Sequence, residues 1–317
     1  MRLLHNMRQN RRKFIQTTAT AGSALMTSSF ELFASTKKPT SKVSNNFDLR
    51  IMATNWGFAG SLDEYCAKVK RDGYDGIEIW WPLDKKTQDE MFAAVQKYQL
   101  QIGFLCAGAD SDYTKHLAQF IQMIDEAATQ NIQRPLYINC HSGRDHFSFE
   151  QNRKFMDHTA ELAEKTGILI CHETHRSRIL YAAPVARQFM EKIPGLRMTL
   201  DISHWCNVHE SLLQDQEETV NMALSRADHI HARIGHPEGP QVNDPRAPEW
   251  EAAVKAHFGW WDKIVEEKKK EGKRLTILTE FGPPDYMPAL AYTRLPLADQ
   301  WGINVYMMQL LRKRYLP

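Results

Sequence analysis

The chain has 317 residues, 43% of them hydrophobic and 25% charged. That composition excludes a disordered chain, a collagen-like repeat and a disulfide-stapled miniprotein, and the length allows a large core. Residues 1–35 carry a net charge of +4 and the remainder −2, so a general attraction to nucleic acid or to an anionic membrane is not expected.

The first 35 residues read as a twin-arginine export signal. A basic stretch ends in Asn10-Arg11-Arg12-Lys13-Phe14, and an uncharged run rich in Thr, Ser, Ala and Gly follows to Phe30. The run holds too many hydroxyls for a membrane span, which needs about 20 mostly apolar residues. The expected product is exported, periplasmic and without a stable membrane anchor, with the twin-arginine machinery as its export partner. Residues 36–46 read as a linker and 47–317 as a single domain.

From residue 47 onward, short apolar runs alternate with longer amphipathic stretches. The runs are 49–54, 76–80, 101–106, 136–140, 168–172, 197–201, 229–232 and 275–280. They are mostly aliphatic and lack strict polar alternation, as strands buried on both faces do. Between them the pattern predicts helices near 62–71, 88–98, 113–130, 149–165, 183–192, 211–225, 249–271 and 297–313. Capping boxes are expected at Ser61/Glu64, Thr87/Glu90 and Ser148/Gln151. Eight strand–helix units in series predict an α/β fold of the (β/α)8 TIM-barrel type. No glycine-rich phosphate loop follows the first strand, which argues against a doubly wound sheet. The connections 235–248 and 281–296 are long and irregular and should wall a pocket at the C-terminal face. Cys66, Cys106, Cys140, Cys171 and Cys206 show no paired spacing and read as core residues rather than a disulfide framework.

Polar residues collect at the C-terminal ends of the later strands: Asn139-Cys140-His141, His172-Glu173-Thr174-His175, Asp201-Ile202-Ser203-His204, His229-Ile230-His231 and Thr279-Glu280. In a barrel all of these converge on one mouth. Glu173, Asp201, His231 and Glu280 together offer three carboxylates and an imidazole, a set suited to one divalent ion such as Mn²⁺, Mg²⁺, Co²⁺ or Zn²⁺. His229 and His231 share a strand face; His231 lies nearer the mouth and is the better ligand, with His229 a layer below. Trp56, Phe58, Trp80, Trp81 and Trp205 follow or close strands and could pack on sugar C–H faces, whereas Trp260 and Trp261 lie within a helix pattern and read as packing residues.

In this order and spacing, Gly73-Tyr-Asp-Gly-Ile-Glu-Ile-Trp80, His172-Glu173, Leu200-Asp201-Ile-Ser-His204, His229-Ile-His231 and Thr279-Glu280-Phe281 resemble the xylose-isomerase-like barrel superfamily over about residues 48–313. That superfamily includes sugar isomerases, ketose 3-epimerases and the endonuclease IV group. The resemblance implies that Glu173, Asp201, His231 and Glu280 hold the metal, that Glu173 and Glu280 double as the catalytic acid/base pair, and that His204 contacts substrate oxygen. Glu78 would shape the pocket floor, with Trp56, Trp80 and His175 as further substrate contacts. The segment from Asn139 to Gly143 resembles the endonuclease group, whose histidine here binds a metal, so His141 would touch metal or substrate. The histidine that group carries after its third strand is missing at Cys106-Ala107-Gly108-Ala109, and Ala232-Arg233-Ile234-Gly235 departs from the epimerase pattern after strand seven.

The expected activity is metal-dependent isomerisation or epimerisation of a non-phosphorylated sugar or keto-sugar. A proton next to a carbonyl is removed to give an enediolate and returned elsewhere. The runner-up is a lyase or hydrolase of keto-glycosides on the same site. Cleavage of DNA at abasic sites and a non-catalytic sugar-binding barrel rank lower, nucleic acid is not an expected partner, and a homo-oligomer stays open.

Overall fold

A computed structural model describes residues 46–316. The export signal expected at 1–35 lies outside the described residues, as does the 36–46 linker except for Asn46. Eight parallel strands close into a barrel in sequence order, β8 pairing back onto β1. They are β1 (Asp48–Thr54), β2 (Gly76–Trp80), β3 (Gln101–Ala107), β4 (Ile138–His141), β5 (Ile170–Glu173), β6 (Met198–Leu200), β7 (Ala227–His231) and β8 (Arg274–Thr279). The intervening helices are α1 (Leu62–Asp72), α2 (Lys85–Lys97), α3 (Tyr113–Thr129), α4 (Phe149–Thr166), α5 (Ala183–Lys192), α6 (Ile202–Val208), α7 (Glu217–Leu224), α8 (Glu251–Glu271) and α9 (Gln300–Tyr315). The (β/α)8 architecture read from the sequence is the one observed. No helix among the described residues is long and apolar enough to cross a membrane.

Local chemistry sets most boundaries. The capping boxes at Ser61/Glu64 and Ser148/Gln151 form as expected. The one expected at Thr87/Glu90 does not: α2 begins three residues earlier, capped by Asp84, whose carboxylate accepts from the Thr87 amide at 2.9 Å. An acidic cap competes well with a hydroxyl and leaves Thr87 inside the first turn. At the end of α1, Gly73 takes φ 93°, a left-handed conformation that glycine enters without Cβ strain.

The largest departure lies after β6. A helix was expected at 211–225, but α6 starts directly at Ile202 and α7 only at Glu217. Asp201 caps α6 by accepting from the Ser203 amide at 3.1 Å. Glu210 and Leu213 then adopt positive φ (46° and 57°), which breaks the path between the two helices.

All five cysteines are free and buried. Trp81 and Trp205, expected as candidates to face a sugar, are buried instead. Trp81 packs edge-on against Phe104 at 4.9 Å and donates to Glu126, and the Trp205 indole donates to the Leu180 carbonyl at 2.8 Å. Neighbouring strand residues point to opposite faces, so Trp80 and Trp81 could not both face the pocket. Phe58 packs against Tyr65 at 5.3 Å.

One packing contact gives the fold an acid limit. His257 on α8 is fully buried. Its Nδ1–H donates to the Ala253 carbonyl at 2.8 Å, and its Nε2 accepts from the Gly235 amide at 3.2 Å, which only the neutral ring can do. Burial pushes its pKa down from 6.5 to about 4, against the Ala253 hydrogen bond. The unfolded chain takes up this proton near 6.5 and the native one only near 4. The stability is therefore complete above pH 6.5 and falls by about 3 kcal/mol as pH drops to 4. Urea unfolding of the wild type against His257→Gln should show this acid slope shallower in the variant; parallel slopes would contradict the assignment.

Candidate functional site at the C-terminal mouth of the barrel

The alternation of strand residues aims one set of polar side chains inward. Glu78 enters from β2, Asn139 and His141 from β4, Glu173 from β5, and His229 and His231 from β7. Asp201 and Glu280 stand just beyond β6 and β8. His172, of opposite parity to Glu173, turns away and is held by Ser142 (2.6 Å) and Thr159 (2.8 Å).

A lower tier supports an upper one. The Glu78 carboxylate lies between His229 Nε2 at 3.1 Å and His231 Nε2 at 3.3 Å. The Thr276 hydroxyl and carbonyl oxygens lie 2.7 and 3.1 Å from His229 Nδ1. Tyr137 stacks on the His229 ring at 3.9 Å. Burial opposes the Glu78 charge, but the two imidazoles outweigh it and bring the pKa down to about 2. His229 is thus the layer below His231, as its register indicated, and Glu78 lines the cavity floor.

In the upper tier, Glu173 Oε2 accepts from Asn139 Nδ2 at 2.6 Å and meets His141 Nε2 at 2.8 Å. Burial raises the Glu173 pKa, yet His141 and His231 more than compensate and keep it well below the carboxylate range. His231 Nδ1 lies 2.9 Å from Glu280 Oε2 and 3.6 Å from Glu173 Oε2. Burial works against its proton, but Glu280, Glu173 and Glu78 hold its pKa well above the usual value. Asp201 is pushed up to about 6, first by burial and then by Glu280 and Glu173, despite the guanidinium of Arg233 beside it.

Arg233, outside the set of expected contacts, is 1% exposed. Its guanidinium bonds Asp201 Oδ2, Ser203 Oγ (3.2 Å) and His204 Nε2 (2.8 Å), stands 3.5 Å from Glu280 and lies over the Tyr286 ring at 4.7 Å. Arg233 continues the two-residue period of His229 and His231, a signal that could have identified it. Asn139 shares parity with His141 in the same way. Tyr286, in the connection after β8, had no comparable signal.

Above these groups opens a cavity of about 350 Å³, lined by Trp56, Glu78, Trp80, His141, His175, Arg233, Glu280 and Tyr286 among others. Trp56 (36% exposed) and Trp80 (46%) form its rim. Trp56 meets Tyr286 edge-on at 4.8 Å and lies over Gly282, where a Cβ would come within 2.4 Å of the indole. His175 packs between His141 (4.5 Å) and His204 (4.0 Å), its ring tilted against both. Burial, with the charge of His141 nearby, holds its pKa well below the usual value. His204 is fully buried beneath Arg233, away from the cavity lining.

The donor set fits a divalent cation. Donor atoms of Asp201, His231 and Glu280 lie within 4.8 Å of one another, and so do those of Glu173, Asp201 and His204. The four expected ligands thus fall into two triads sharing Asp201. Glu173 Oε1 is buried with no hydrogen-bond partner, a costly state for a polar atom that a cation would relieve, while Glu280 Oε2 and His231 Nδ1 face each other at 2.9 Å.

The family model described as "Xylose isomerase-like TIM barrel" matches residues 66–248, and no curated protein matches. Three crystal structures share the fold, each with a TM-score of 0.53. An AP endonuclease, family 2, from Brucella melitensis is 12% identical, covering 82% of this chain and 98% of its own. The probable 3-DHS dehydratase AsbF, involved in petrobactin synthesis, from Bacillus anthracis is 15% identical, covering 83% and 98%. A D-tagatose 3-epimerase-like protein is 15% identical, covering 83% and 97%. With the barrel, the order of its strand-end residues and this match to more than half its length, the chain belongs to the xylose isomerase-like TIM barrel family.

Proposed function

We propose that the protein is a divalent-metal-dependent isomerase or epimerase of a non-phosphorylated sugar or keto-sugar. The observation that carries this reading is the convergence of two carboxylates on one imidazole beside a cavity of monosaccharide size: Glu280 Oε2 and Glu173 Oε2 approach His231 Nδ1 at 2.9 and 3.6 Å, Glu280 lines the cavity, and Glu173 keeps a buried Oε1 without a partner. Asp201, His231, Glu280 and Glu173 would hold the cation. When bound, it supplies Lewis-acid polarisation of a carbonyl, which acidifies the neighbouring C–H.

The remaining work falls to side chains. Glu173 is ionised at neutral pH and serves as the base at the carbon next to the carbonyl, with Asn139 and His141 fixing its Oε2 so that Oε1 faces the reaction. Glu280, in its acid form at this stage, delivers a proton of its own to the opposite face for epimerisation or to the adjacent carbon for isomerisation, and the two carboxyls reset by exchanging protons with water. Trp56 and Trp80 offer flat apolar rims to sugar C–H surfaces, and His141 and His175 present ring nitrogens to hydroxyls. Incubation of the metal-loaded protein with free ketoses and aldoses in D2O should place deuterium at one carbon of the recovered sugar. Unlabelled sugar from every substrate that binds would contradict the proton-transfer scheme.

A second reading is favoured by the exposed Trp80 rim, which leaves room for a substituent beyond the ring: the same proton removal on a 3-keto-glycoside would expel that substituent, and its release without deuterium return would identify a lyase. We further propose export by the twin-arginine route. Replacing Arg11 and Arg12 together by Lys should retain the protein in the cytoplasm on fractionation, and unchanged periplasmic recovery would contradict this.

A further inference from the structure

Arg233 deserves a role of its own because it stands on the atoms the cation needs. Asp201 Oδ1 is taken by the amide and hydroxyl of Ser203, so Oδ2 is the oxygen left for a ligand, and Arg233 Nη2 bonds it. Glu280 Oε2, the oxygen facing His231, is also the one facing Arg233 Nη1. The guanidinium is fixed on three further sides by Ser203, His204 and the Tyr286 face, and with 1% exposure it has no share in bulk solvent. Two cations on the same pair of carboxylate oxygens repel one another strongly in so buried a setting.

Resting on the metal reading above, we infer that the Arg233 guanidinium and the divalent cation are alternative occupants of the gap between Asp201 and Glu280, so that the ion binds only as Arg233 gives up Asp201. The chain carries its own counter-cation: the acids are compensated before any ion arrives, and metal affinity is set by the cost of releasing the guanidinium. The Tyr286 ring, which lines the cavity, already lies against the guanidinium at 4.7 Å and would stay within its reach after release. Where the guanidinium holds the gap in about 90% of ion-free molecules, its removal tightens the apparent affinity about tenfold.

The test is Mn²⁺ binding to the full chain by calorimetry and by Mn²⁺ electron paramagnetic resonance, for the wild type and Arg233→Met. Exchange predicts binding at least about tenfold tighter in Arg233→Met. Equal or weaker binding in the variant overturns the exchange while leaving the metal site standing. If neither protein binds Mn²⁺, the metal reading fails and takes the exchange with it. A measurement on the wild type guards against a variant that does not fold. With ¹⁵N-arginine label and the Arg233 Nε–H signal assigned from its loss in Arg233→Lys, that signal should shift in step with Mg²⁺ occupancy. A signal unmoved at saturating Mg²⁺ overturns the proposal.

Discussion

Glu173→Gln and Glu280→Gln are each expected to lower kcat by about 10²- to 10⁴-fold, the range a positioned proton-transfer group supplies. The amide keeps the shape of the side chain but cannot take a proton from carbon. In Glu173→Gln, an amide facing Asn139 Nδ2 and His141 can still accept through its oxygen, so the local scaffold should persist and the melting temperature change little compared with the rate. Both residues are also expected metal ligands, so Mn²⁺ affinity is measured beside kcat, and a rate loss at saturating metal isolates the proton-transfer role. Because the proposed scheme uses the two in one sequence of proton removal and delivery, the double variant should be scarcely slower than the worse single one. Turnover within fivefold of wild type in either single variant would remove that residue from the acid/base pair.

Arg233→Met should destabilise the metal-free protein by about 3–5 kcal/mol, the usual cost of removing one partner from a buried ion pair. The charges explain the size of the effect. Glu280 and Asp201 face the guanidinium directly, and Asp201 is already crowded enough by burial, Glu280 and Glu173 to sit near 6. Methionine fills much of the space but offers neither carboxylate a donor. On thermal unfolding with chelator this corresponds to roughly 10 °C for a domain of this size. Saturating Mn²⁺ should return much of the loss, because an ion that binds only the native state stabilises it by mass action. A variant that melts with the wild type in chelator would show that Arg233 adds little to the charge balance of the site.

The barrel was legible because its signals are local and repeated. Buried parallel strands must be short apolar runs, and Ser61 and Ser148 announce their helices through hydrogen bonds made within three residues. The gathering of polar side chains was legible for a related reason: in this topology the residues ending successive strands meet at one mouth, so Glu173, Asp201, His231 and Glu280 could be proposed as one group without knowing any distance. What escaped depended on competition or on parity. Thr87 lost its capping role to Asp84. Asp201 was read for its ligand chemistry alone, and its side chain caps α6, which begins immediately after it. Trp81 and Trp205 carry the right chemistry on the wrong face. Arg233 was read as a departure from a pattern, although its two-residue spacing from His231 already aimed it inward. Tyr286 reaches the site from an irregular connection, where no periodicity fixes direction.

The chemistry proposed above depends on a divalent ion held at the barrel mouth by Asp201, His231 and Glu280 with Glu173. Crystals grown with Mn²⁺ and measured near the manganese absorption edge test it most directly. One strong anomalous peak is expected about 2.0–2.4 Å from a carboxylate oxygen of Asp201, a carboxylate oxygen of Glu280 and Nδ1 of His231. A mouth without a peak at saturating Mn²⁺, or a peak bound only elsewhere, would contradict it.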